Sequence, residues 1–117
     1  ASSKKAIEAA KKSSVILPAG ALLSRKYSPE GTHNLEHYVG AVMHQPTLLS
    51  TSTDPSAFYG TLHTYIVVGP GVKGVPAGKF SQVAIESEVI LHANQRFVNM
   101  GKHPDGRWML YALPTLD

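Results

Sequence analysis

The chain predicts a small α+β domain dominated by antiparallel strands, and three observations lead there. Short runs of β-branched and aliphatic residues recur along the chain, separated by turns rich in Gly, Pro and Asp. Two of these runs flank Pro104-Asp105-Gly106, which reads as a hairpin turn. Helical signals are confined to two stretches, near residues 4–12 and 34–44. Many strands with few helices, not alternating with them one for one, is the α+β pattern.

Taken in order, Ser2 and Ser3 stand before Lys4-Lys5-Ala6-Ile7-Glu8-Ala9-Ala10-Lys11-Lys12, serine caps followed by helix formers. This helix has a small apolar surface and is expected to pack loosely. Pro18 and Gly20 break the chain, and residues 21–27 read as a strand that carries Arg25 near its end, before a Ser28-Pro29-Glu30-Gly31 turn. Leu35, Tyr38, Val39, Val42 and Met43 then recur at helical spacing, which predicts a helix from about 34 to 44, ended by Pro46. Residues 47–52 follow as a strand, Asp54-Pro55 opens a short turn or helix through Phe58, and residues 62–68 read as a buried strand. Residues 69–82, rich in Gly and Pro, are expected to form a long loop, and loops of that length are usually functional. The strand around Glu86 to Leu91 comes next, then strands near 96–98 and 108–111. No internal repeat or low-complexity segment is present.

Composition narrows the function classes. A length of 117 residues suits one core, and 43% hydrophobic content supports packing rather than disorder. No apolar stretch approaches the ~20 residues of a membrane-spanning helix. The chain lacks Met at position 1 and a secretory apolar region, so it is expected to be cut from a longer protein. The absence of Cys excludes disulfides, thiolate chemistry and Cys-based zinc sites, and fits cytoplasmic action or export through an unfolded state. The net charge of +3 suits an acidic or phosphate-bearing partner, although Lys4, Lys5, Lys11 and Lys12 supply much of it.

Three polar features sit on or beside these strands. In a strand, residues i and i+2 share a face, so Glu86 and Glu88 point the same way with Ser87 behind them. Like charges that close cost stability, so a functional use competes evenly with a charged edge that deters aggregation. Arg25 and the Ser50-Thr51-Ser52 triplet are the other two features, and each alone is commonplace.

Their order and spacing resemble the Arg-Ser-Glu class of bacterial mono-ADP-ribosyltransferase toxins and effector domains. The resemblance covers roughly residues 20–100 and includes Leu49-Ser50-Thr51-Ser52, Glu86-Ser87-Glu88-Val89-Ile90-Leu91 and Arg96-Phe97-Val98. It implies an ADP-ribosyltransferase-like fold, a mainly antiparallel core split into two sheets with a few short helices. It also implies one catalytic domain over residues 1–117, with 1–19 as an N-terminal helix and lead-in and 20–117 as the catalytic core. NAD is the implied co-substrate, a macromolecule (first of all a protein arginine) the acceptor, and no metal or membrane takes part. The class further implies a secreted or injected C-terminal toxin domain acting in the target-cell cytoplasm, and a cognate immunity protein.

The resemblance gives Arg25 the NAD phosphates, which a guanidinium binds bidentately. Glu88 is given the ribose, whose positive charge grows as nicotinamide leaves. Ser50 braces Glu88 or lines the nicotinamide pocket, and Glu86 orients and activates the acceptor. Lys26, Thr51, Ser52 and Phe58 are further NAD-binding candidates, with Tyr59 as an alternative cover for the nicotinamide ring. Lys26 or Lys73 is available where a second phosphate-binding Arg is missing. The stretch from Gly69 to Val83 would read the target, with Phe80 and Gln82 as its contact residues. Transfer to a nucleic acid or another side chain, NAD hydrolysis alone, and a non-catalytic binding module are the alternatives.

A competing pattern is His33-Asn34-Leu35-Glu36-His37, the H-x-x-E-H form of some zinc peptidases. On a helix His33, His37 and His44 would cluster opposite the apolar face, away from any walled cavity. A solvated histidine face is the preferred reading.

Overall fold

The computed structural model describes residues 3–26, 35–54, 63–76 and 88–116. Helix α1 runs over Lys4–Ser13. Ser3 caps it, its hydroxyl oxygen accepting from the Ala6 amide at 3.1 Å, which satisfies one of the open N–H groups of the first turn. Lys11 and Lys12 stand in the last turn, where the helix dipole favours positive charge. Ala10 is its buried residue, in keeping with the small apolar surface expected from the sequence.

Among the described residues nine strands follow: β1 Val15–Ile16, β2 Leu22–Lys26, β3 Val42–Gln45, β4 Leu49–Ser52, β5 His63–Val68, β6 Lys73–Pro76, β7 Glu88–Leu91, β8 Gln95–Lys102 and β9 Trp108–Ala112. They form one sheet in the order β1-β6-β7-β4-β2-β5-β9-β8-β3. All neighbours are antiparallel except β5 and β9. A contiguous apolar cluster backs the sheet, including Leu17, Leu23, Leu49, Ile66, Val89, Leu91, Phe97, Trp108 and Leu110. The architecture is the mainly antiparallel α+β core expected from the sequence. Two sheets were expected, whereas the described strands join in one, with a narrow joint between β2 and β4. Among the described residues, strand β2 pairs with β5 through five residues but with β4 only through Ser24 and Ser52.

The helix predicted from 34 to 44 does not continue past residue 37. Residues 35–37 are helical, a turn follows, and Val42 enters β3 against β8. The cause is Asn99, fully buried on β8. Its side-chain amide donates to the Leu35 carbonyl at 2.8 Å, taking the acceptor that would otherwise serve the Val39 N–H of a continuing helix. Its backbone oxygen accepts from Gly40 and its N–H donates to Ala41, which turns the chain away into β3. Gly40 makes that turn with φ at +87°, a left-handed conformation that costs glycine little. The apolar periodicity was therefore shared between a turn and a strand, and Tyr38, Val39 and Val42 stand 55–60% exposed rather than against the core.

The long loop predicted over residues 69–82 is also interrupted, because β6 occupies Lys73–Pro76 between β1 and β7. Gly74, read from sequence as a loop residue, is there for closeness. A Cβ at that position would meet Val89 Cγ1 at 3.0 Å and Leu17 Cδ1 at 3.1 Å. The lead-in over residues 1–19 likewise holds a strand unrecognised in the sequence: β1 pairs with β6 and Leu17 joins the core.

The hairpin predicted around Pro104-Asp105-Gly106 joins β8 and β9. Asp105 Oδ1 accepts from the Arg107 amide at 2.9 Å, and Oδ2 accepts from the Tyr65 hydroxyl at 3.2 Å. The Arg107 backbone bond, followed by Tyr65 and His103, holds the Asp105 carboxyl below the ordinary aspartate range.

Two outcomes follow from this packing. Asn99→Ala removes two buried hydrogen bonds and should cost about 2–4 kcal/mol in urea denaturation. Because the folded pKa of Asp105 is depressed, its contribution is present above the unfolded value and lost as pH falls through the folded one. Wild type should therefore melt above Asp105→Asn at neutral pH, with the gap closing as pH falls below about 3.9.

Candidate functional site

Strands β2, β4 and β7 lie side by side, and Arg25, Ser50 and Glu88 meet where they do. The register of β4 with β7 pairs Leu49 with Leu91, Ser50 with Ile90, Thr51 with Val89 and Ser52 with Glu88. Paired residues share a face, so Leu49, Thr51, Val89 and Leu91 turn to the core while Ser50, Ser52, Glu88 and Ile90 face away from it. Ser50 is then diagonal to Glu88, within reach for a long side chain. The Ser50 hydroxyl donates to Glu88 Oε2 and fixes the direction of the carboxylate. Both residues are half-buried.

Arg25 reaches this pair from the other side of the β2–β4 joint. Its Nη1 donates to the Ser50 carbonyl at 2.7 Å, so Ser50 is held through its backbone by Arg25 and holds Glu88 through its side chain. Arg25 Nε is buried and meets no hydrogen-bond acceptor among the described residues. Beyond Ile90, α1 covers the same face, and an apolar cavity of about 300 Å³ is lined by Ala6, Ala10, Leu48, Val75 and Ile90.

The other expected residues divide. Thr51, assigned from sequence to the cofactor pocket, is 1% exposed, and its hydroxyl donates to the Val89 carbonyl at 2.7 Å. It ties β4 to β7 from beneath rather than lining the open face. Ser52 faces the right way, but it is buried and its Oγ accepts from the Asp54 amide at 3.0 Å. Lys26 closes β2, paired with His63. Lys73 stands beyond Gly74, which pairs with Leu91, and so lies at the opposite end of β7 from Glu88. That placement rules out Lys73 as a substitute phosphate ligand beside Arg25. Glu86, Phe58, Tyr59, Phe80, Gln82 and His33 lie outside the described residues. Glu36 and His37 are exposed on the single helical turn, and His44 is exposed on β3. Among the described residues no group of three or more His, Cys, Asp or Glu is placed to hold a metal ion.

One buried polar residue of this region escaped the sequence reading. Ser24, between Leu23 and Arg25, is 2% exposed and its hydroxyl lies 3.3 Å from the Ser52 carbonyl and 3.2 Å from that of Asp54. A single serine inside an apolar strand gives no signal of that kind. In sum, Ser50 holds a carboxylate through its hydroxyl and a guanidinium through its backbone carbonyl. Such a set can stabilise positive charge at one point and hold an anion nearby.

No family model matches the chain and no curated protein matches it. Solved structures do. The ADP-ribosyltransferase HopU1 of Pseudomonas syringae superposes with a TM-score of 0.64 at 18% identity, over 85% of this chain and 47% of its own. C3larvin toxin, an ADP-ribosyltransferase from Paenibacillus larvae, gives 0.63 at 17% identity over 86% and 64%. C3stau2 from S. aureus, a structure with NAD, gives 0.65 at 11% identity over 86% and 65%. The chain spans between about half and two thirds of these proteins. It has the fold of the bacterial ADP-ribosyltransferase toxins.

Proposed function

We propose that this chain is a mono-ADP-ribosyltransferase of the Arg-Ser-Glu class, the catalytic domain of a secreted or injected toxin or effector. It uses NAD and transfers ADP-ribose to a macromolecule, first of all to a protein arginine. The observation that carries this reading is the Ser50 hydroxyl on the Glu88 carboxylate, with Arg25 bonded to the Ser50 carbonyl from the next strand. The shared fold and a neighbour solved with NAD support it.

The reaction breaks the bond between nicotinamide and ribose C1′, the electrons leaving with nicotinamide, and joins C1′ to an acceptor nitrogen that gives up a proton. Glu88 is the residue that stabilises positive charge growing on the ribose, because a fixed carboxylate needs no reorganisation as that charge appears. Ser50 keeps it fixed. Arg25 is the phosphate ligand; its plane is set by the Ser50 carbonyl, and its Nε is a donor still lacking an acceptor among the described residues. Glu86 is assigned from its spacing alone: two residues before Glu88, it would orient and deprotonate the acceptor. Residues 1–117 act as one domain in this reading, and a cognate immunity protein is its expected partner.

Glu88→Gln keeps the shape of the side chain and removes its charge. It should lower NAD turnover on the order of 10²–10³-fold in an assay of nicotinamide release, and full activity would sink the assignment. Glu86→Gln should lower ADP-ribose transfer to protein far more than NAD hydrolysis. An equal fall in both would mean that Glu86 serves NAD cleavage itself.

A further inference from the structure

The candidate site is divided by the joint with the shortest ladder among the described residues. Arg25 stands on β2, which is built into β5 through five residue pairs, from Leu22 with Val67 to Lys26 with His63. Ser50 and Glu88 stand on β4 and β7, which share four pairs with each other. Between β2 and β4 the ladder has one pair among the described residues, Ser24 with Ser52. Any change in the spacing of these two strands therefore alters the distance from Arg25 to the Ser50–Glu88 pair while leaving each half intact.

Side chains supply what the ladder lacks. The Ser24 hydroxyl, buried beside the single backbone pair, is shared between the carbonyls of Ser52 and Asp54. The Ser52 hydroxyl accepts from the Asp54 amide, so the chain leaving β4 is folded back onto Ser24. Arg25 Nη1 on the Ser50 carbonyl is the next bridge along the same joint. We propose that Ser24 is a positioning residue. Its hydroxyl clamps the exit of β4 onto β2 and so sets the spacing between the phosphate-binding Arg25 and the ribose-directed Glu88. Ser24 would touch no substrate. Its effect passes through the strand spacing alone.

This inference rests on the NAD-transferase reading, and isosteric variants separate the two. Ser24→Thr keeps a hydroxyl on a β-branched side chain that strands accept, whereas Ser24→Val has the same shape without it. NAD turnover is measured for both beside wild type, together with melting temperature. The expected result is wild-type-like kinetics for Ser24→Thr and a rise of about fivefold in KM for NAD in Ser24→Val, the worth of one modest hydrogen bond. Thr115→Val serves as control: it removes part-buried hydrogen bonds to the Lys73 amide and the Gln95 side chain, beyond the end of β9, and should lower stability without moving KM. Equal KM values for Ser24→Thr and Ser24→Val overturn the inference, as does a KM in Ser24→Val that moves no further than in Thr115→Val at matched loss of melting temperature. A wild-type chain with no NAD turnover overturns the functional reading and this inference with it. Active wild type with equal variants overturns the inference alone.

Discussion

The register of β4 against β7 is the constraint on which the site depends. Leu49, Val89 and Leu91 are buried on one side of this strand pair, so sliding one strand by a single residue would turn its apolar set to the open face. Core packing thereby forbids the slip. The same register fixes Ser50 diagonal to Glu88 on the opposite face, and the hydroxyl-to-carboxylate bond is its by-product. Thr51 adds a second lock, bonding the Val89 carbonyl from the core side. A polar constellation is thus held by hydrophobic burial, which is non-directional by itself but becomes precise through strand alternation.

Arg25 is held differently. Its strand belongs by packing to β5 and by chemistry to β4. Leu23 and Ile66 anchor β2 to the β5 side of the core, while the guanidinium and the neighbouring Ser24 hydroxyl reach across to β4. Among the described residues the two parts of the site are therefore joined by side-chain-to-backbone bonds more than by a ladder. Each such bond is worth about 0.5–1.5 kcal/mol, against the several stacked ladder bonds of a full strand pair. A joint of that strength can be retuned by a single hydroxyl without unfolding either half.

The sequence was legible where one cause dominates a segment. The alternation in Trp108-Met109-Leu110-Tyr111 and the apolar run before Gly69 read correctly because burial alone decides them. The trio of Arg25, Ser50 and Glu88 could be picked out because their order and spacing resemble those of a known family, and the fold links the three through Ser50. Where two causes compete, local pattern misleads. Leu35 to Met43 satisfies a helical period, yet one distant side chain, Asn99, takes the Leu35 carbonyl and bends the chain into a strand. Gly74 looks like loop composition, yet it is glycine because β6 passes too close to Leu17 and Val89 for a Cβ. Thr51 looked like part of a pocket because the triplet was read as a unit, whereas strand alternation sends its middle member to the core. Ser24 gave no signal at all, since its partners are backbone carbonyls of residues about thirty positions away.

These corrections also move the boundary between bond cleavage and acceptor choice. The sequence assigned target reading to the whole stretch from Gly69 to Val83, with the glutamates at its end. Its first part is now strand β6, bonded on both sides and bearing Gly74 against Leu17 and Val89. A segment so tied can align β7 but has no freedom to fit a partner. In the proposed function, Glu88 stands at the start of β7 and belongs to that fixed sheet. A carboxylate that shares the fixed register of the core suits cleavage of the bond between nicotinamide and ribose, the half of the proposed reaction that is the same for every acceptor.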